Sequence, residues 1–204
     1  MNQKHQEDLA HIRSMMERSS RFISLSGLSG VFAGLSALIG GIYVYQLFKA
    51  NGVDYISDEH RLYSTNLVSE LFWIGVIIMI CALVFGTFFT VRKSKKYNLP
   101  IWTSATKKML FNLAVPLVAG GIFCLALIYH GNFGLVAPST LIFYGLAVIN
   151  AEKYTFSDIK YLGFSELILG LISLFYIGYG LIFWIIGFGI LHIVYGLVMF
   201  KKYK

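Results

Sequence analysis

The stretch IKYLGFSELILGLISLFYIGYGLIFWIIGFGILHIVYGLVMF, residues 159–200, decides how the chain is read. It is two apolar runs joined at Ile177-Gly178-Tyr179-Gly180, and each run reads as a membrane-crossing helix. Each also carries one ionisable residue between two glycines. The first reads Gly163-x-x-Glu166-x-x-x-Gly170 and the second Gly189-x-x-His192-x-x-x-Gly196. On a helix, positions i−3 and i+4 share the face of position i. Each ionisable side chain is therefore expected in a groove cleared by glycine. A turn near Tyr179 sets Glu166 level with His192, which predicts that the two meet.

The rest of the chain agrees with a lipid surrounding. Of 204 residues, 57% are hydrophobic and only 13% are charged. A soluble domain of this length leaves too much surface in water to hide so much apolar area. Length and composition imply one membrane domain without a separate soluble one. The net charge of +7 does not indicate nucleic acid, because the cations cluster beside apolar runs. Cys81 and Cys124 fall inside expected spans and read as small apolar fillers rather than a disulfide pair. The polar start of the chain does not resemble a signal peptide.

Six transmembrane helices are expected, over residues 22–48, 67–91, 109–129, 133–150, 159–176 and 181–200. Residues 1–21 precede them. Leu9, Ile12, Met15 and Met16 recur there at helical spacing, as in a short amphipathic helix lying on a membrane surface. In the first span Ser26, Gly30 and Gly34 recur every four residues, as do Ser29, Ala33, Ala37 and Gly41. Such small-residue stripes let helix backbones approach closely in lipid, so this helix is expected centrally, with neighbours on two sides.

The loop 49–66 holds Asp54, Asp58, Glu59 and His60. These are metal-ligand types without a metal-site spacing, so the loop reads as solvated. Ser64, Thr65 and Asn66 offer an N-cap to the second span, with Glu70 assigned to its first turn, where a carboxylate suits the positive helix end. Residues 92–108 form a basic connection with Trp102 as an interfacial anchor. Pro116 and Pro138 each free a carbonyl four residues back. For Pro116 that residue is Asn112, so Asn112 and Glu70 stand as secondary polar candidates. Thr155 and Asp158 are spaced as a capping pair for the fifth span.

The cations set the expected orientation. With six spans, 15 of the 17 Lys and Arg fall on one side, leaving Lys49 and Arg61 on the other. The positive-inside rule then puts both termini in the cytoplasm.

Motifs of enzymes are missing. There is no phosphate loop, no His-Glu-x-x-His, no Cys-x-x-Cys and no Gly-x-Ser-x-Gly. The chain is expected not to be an enzyme and to need no cofactor or metal. Glu166 and His192 remain, and ionisable groups deep in a span default to a functional hypothesis. They can relay a proton, or they can lock two helices together. The leading expectation is a small transporter or channel-like protein using this pair. The alternative is a non-catalytic scaffold or regulatory subunit that docks partners through its basic surface. The expected partners are the bilayer and a second copy or another membrane protein.

The stretch Met15-Met16-Glu17-Arg18-Ser19-Ser20-Arg21-Phe22-Ile23-Ser24-Leu25-Ser26-Gly27-Leu28-Ser29-Gly30 resembles the start of small multi-pass membrane proteins of bacteria, and Gly187–Gly196 has a similar character. The resemblance implies a bacterial inner-membrane location and no activity.

Overall fold

A computed structural model describes residues 26–53 and 63–203. The expected amphipathic helix at residues 2–21 lies outside the described residues, as do Asp54, Asp58, Glu59 and His60. Among the described residues every regular element is helical. Helix α1 is Gly27–Ala50, α2 Thr65–Lys96, α3 Ser104–Tyr129, α4 Val136–Ala151 and α5 Ile159–Ser173. Single 3-10 turns extend α4 at both ends, at Phe133–Leu135 and Glu152–Tyr154. The last rod follows a 3-10 turn at Ile177–Tyr179. It runs through α6 (Gly180–Trp184), a π-helical segment (Ile185–Leu191) and α7 (His192–Lys202).

The protein is an all-α membrane bundle, with six rods among the described residues, five of them long and apolar enough to cross a bilayer. The exception is α5. Its 15 residues reach about 22 Å at 1.5 Å each, short of a hydrocarbon core of about 30 Å.

Contacts between the connections establish an up-and-down order. At one end Phe48 and Leu67 bury together with Tyr63 and Leu181. Tyr63 there meets Phe133 edge-on, 5.1 Å between ring centres, and Gly134 lies against Ile177. At the other end Lys93 Nζ donates to the Tyr203 carbonyl at 3.2 Å, Phe156 lies 4.1 Å from the Tyr203 ring, and Met109 packs with Ala151 and Tyr154. Among the described residues Lys49 is the single cation at the first end, and the others gather at the second.

Several boundaries differ from the sequence reading, each for a local reason. Ser64 accepts from the Leu67 N–H at 3.2 Å and caps α2. Glu70 therefore falls in the second turn, is exposed, and is not the end-of-helix carboxylate expected. Helix α2 continues through Lys93, Lys95 and Lys96, whose charge suits the carbonyl end of a helix. Thr103 and Thr106 form a reciprocal capping box that starts α3. The expected basic connection shrinks to residues 97–103, turned by Asn98 at φ 51°. Trp102 is 68% exposed there, with Lys107 Nζ 5.8 Å from its ring centre. Asp158 makes no side-chain cap to α5. Its carboxylate accepts instead from Lys202 and Tyr203, both at 2.7 Å.

The prolines behave differently from one another. Pro138 lies in the first turn of α4, where its missing N–H leaves no bond broken. Pro116 lies well inside α3, and the Asn112 carbonyl it frees accepts from the Asn150 side chain of α4 at 2.9 Å. A neighbouring helix thus satisfies the group the proline exposes. Asn150→Ala is expected to lower stability by about 1 kcal/mol, within the range for interhelical polar contacts in lipid. A thermal melt in detergent checks this, and an unchanged transition refutes it.

Packing divides the rods into two groups of three. Helix α1 packs on α2 and on the last rod, while α4 packs on α3 and α5. The groups join where the π segment meets α5 and where α6 meets α4. Helix α1 does touch two neighbours, but the stripes do not divide between them. Gly30 and Gly34 of the first lie against the last rod at Gly189–Gly196, and Gly41 of the second lies against Ile185 and Trp184 of the same rod, whereas Gly40, outside both stripes, lies against Ile78 of α2. Helix α1 shares the central position with α4, which buries Leu141, Gly145, Ala147, Val148 and Ala151.

Candidate functional site

The two arms of the C-terminal stretch do not zip together along their length. Helix α5 turns its glycines to α4, with Gly163 against Gly145 and Ile149, and Gly170 against Leu141 and Ile142. The last rod turns Gly196 to Gly27 and Val31 of α1, and Gly189 to Leu38. The glycines expected to line a groove for the ionisable pair instead seat other helices. The reason is steric, since backbones approach closest where both partners lack side chains.

The arms meet at one level, and there Glu166 and His192 come together. His192 Nδ1 lies 3.2 Å from Glu166 Oε1. Glu166 is 0% exposed and His192 6%. A glycine outside the two glycine-flanked motifs makes room for the carboxyl. A Cβ on Gly187 would lie 2.5 Å from both Glu166 Oε2 and Leu141 Cδ2. Gly187 belongs to the π segment, a form that recurs at functional positions in helices.

A third polar residue completes the centre. The Tyr144 hydroxyl of α4 lies 2.8 Å from His192 Nε2. Tyrosine spaced among apolar residues gives no sequence signal, so only the fold reveals it. His192 Nδ1 is also 3.1 Å from the Gly187 carbonyl. Two acceptors beside Nδ1 require a proton there, and its N–H is directed to the Gly187 oxygen. Neither Glu166 oxygen has a hydrogen-bond partner among the described residues. The 3.2 Å approach is thus an ion-pair distance without hydrogen-bond alignment.

This arrangement has definite chemistry. With Nδ1 protonated, Nε2 either accepts from the Tyr144 O–H or, once protonated, donates to its oxygen. A phenol hydroxyl serves both roles by turning. An unpaired charge in a dry interior is costly. The favoured sealed forms are therefore net neutral, with a single proton shared between carboxyl and imidazole beyond the one on Nδ1.

The secondary candidates stand apart. Asn112 serves the Pro116 site, and Glu70 is exposed near the opposite end of the bundle. Cys81 and Cys124 are free thiols. No group of three His, Cys, Asp or Glu able to hold a metal occurs among the described residues. At the cation-rich end, hydrogen bonds from Lys202 and then Tyr203 hold the Asp158 carboxyl below the usual carboxylate range.

The chain matches no protein-family model, no curated protein and no solved structure.

Proposed function

We propose that this membrane protein is a small proton-linked transporter in which Glu166, His192 and Tyr144 take up and release one proton. The observation that carries the reading is the Glu166 carboxyl, fully buried beside an imidazole with no donor to either oxygen. A helix lock gains from aligned bonds, whereas an unbonded carboxyl in a dry core invites a proton or cation. Its position where the two three-helix groups join supports coupling to their relative movement. Discharging the pair leaves net charge in a dry site, so release favours a form open to water.

The cation-rich end supports an orientation with that end in the cytoplasm of a bacterial inner membrane. It also supports the rival reading, a scaffold that docks partners through its basic surface. One experiment separates the two. Purified protein is placed in vesicles containing a pH-sensitive dye, and a pH gradient is imposed. Glu166→Gln and His192→Gln are expected to reduce proton movement to the vesicle leak while keeping the fold. If the wild type moves no protons, the reading fails. It fails equally if both variants keep the flux and lose only thermal stability.

A further inference from the structure

We infer that α5 and α7, bridged by Glu166 and His192 at one level and by Asp158 and Lys202 at the end, carry a proton route from the cation-rich end to Glu166, with the Tyr195 hydroxyl as its intermediate station. The inference rests on the proton-linked reading above and adds which end supplies the proton.

Tyr195 follows His192 by three residues on α7, about 4.5 Å along the axis toward the cation-rich end. Its hydroxyl is buried and has no hydrogen-bond partner among the described residues. A hydroxyl buried without a partner costs free energy and calls for an explanation. On one side Lys202, seven residues on along the same face of the helix, bonds Asp158. On the other, His192, three residues back on the same face, meets Glu166 and Tyr144. Tyr195 therefore stands between the Asp158 cluster and the Glu166 centre.

Asp158 is held at the mouth by Lys202 and Tyr203 and is only partly buried. Lys160 and Lys93 also face that mouth. Glu166, His192 and Tyr144 stand at the foot. Along the other side of α7, α1 carries no titratable side chain among its described residues until Tyr43.

Toward the opposite end α5 packs closely on α4. A Cβ on Gly170 would lie within 3.0 Å of Ile142 and Leu141 atoms, and Leu141 is fully buried. Ser173 lies beyond this layer, with its hydroxyl buried and unbonded.

Transfer through Tyr195 balances as a relay. Its oxygen accepts a proton from hydronium at the mouth, which is left as water, as its own proton leaves toward Glu166. One O–H bond breaks and one forms at Tyr195, an O–H forms on Glu166, and rotation of the hydroxyl restores the start.

The test uses the full chain in vesicles sorted by which face carries the C-terminal lysines. A rapid pH jump is applied, and the carboxyl infrared band is assigned to Glu166 by its loss in Glu166→Gln. In the wild type the band is expected to follow the pH at the cation-rich face. Tyr195→Phe keeps the ring and is expected to slow the response roughly a hundredfold, the low end for losing a positioned proton-transfer group. Ser173→Ala is expected to leave the rate unchanged. A wild-type rate in Tyr195→Phe, a slowing in Ser173→Ala alone, or a band that follows the other face overturns the route. A wild-type Glu166 band that never responds overturns the proton-linked reading itself.

Discussion

Gly196→Ala is expected to lower the thermal transition of the protein, whereas Gly86→Ala is expected to raise it. Both substitutions place one methyl group inside a helix that crosses the membrane. Helix propensity alone favours alanine by about 0.5–1 kcal/mol at either site. What surrounds the methyl decides the sign. At Gly196 it would lie 2.6 Å from the Gly27 carbonyl oxygen and 2.6 Å from the Val31 nitrogen. These are backbone atoms of α1 and cannot rotate aside, so the helices must separate. Overpacking of this kind costs about 1–3 kcal/mol, and the interface it forces open is the one that holds α1 to the last rod. At Gly86 nothing lies within 4 Å, so only the propensity gain remains. Melting followed by the fluorescence of Trp73, Trp102 and Trp184 in detergent checks both signs. A Gly196→Ala protein that melts at or above the wild type would show that close backbone approach does not hold this bundle together.

Gly187→Ala is expected to act on the centre rather than on the fold. The added methyl would meet Glu166 Oε2 and Leu141 Cδ2, both at 2.5 Å. These are the ends of side chains and can move, unlike the backbone that faces Gly196. The outcome is a folded protein whose carboxyl is pushed out of register with His192. A misplacement of about 1 Å can cost a hundredfold in a positioned reaction, so proton movement is expected to fall by about that factor. The melting transition is expected to stay closer to the wild type than that of Gly196→Ala. Flux in dye-loaded vesicles and a parallel melt decide it. Wild-type flux from Gly187→Ala would mean that the exact seating of Glu166 is irrelevant to the protein's work.

These two glycines show where sequence reading succeeds and where it stops. Glu166 and His192 can be matched from counting alone, because a turn near Tyr179 and a fixed rise per residue set their level. That match survives the π segment in the last rod. The partners of the flanking glycines cannot be read, since Gly163, Gly170, Gly189 and Gly196 look alike in a one-dimensional pattern. Gly187 gives no signal because its importance lies in a carboxyl from another helix. Tyr144 and Tyr195 are hidden for the same reason, being two of 13 tyrosines. The shortness of α5 is invisible in the sequence because Leu174, Phe175 and Tyr176 continue the apolar run past the last helical turn at Ser173. Asp158 looks like a cap because its true partners, Lys202 and Tyr203, lie 44 and 45 residues away.

Composition and periodicity suffice to establish that lipid surrounds this chain, that helices build it and that its cations gather at one end. Each of those properties depends on how a segment partitions between water and hydrocarbon, which local sequence governs. Which helices touch, which glycine cradles the carboxyl and which hydroxyl meets the imidazole are decided only by folding. Inside a bilayer every apolar run is equally at home, so shape complementarity between distant segments makes the choice.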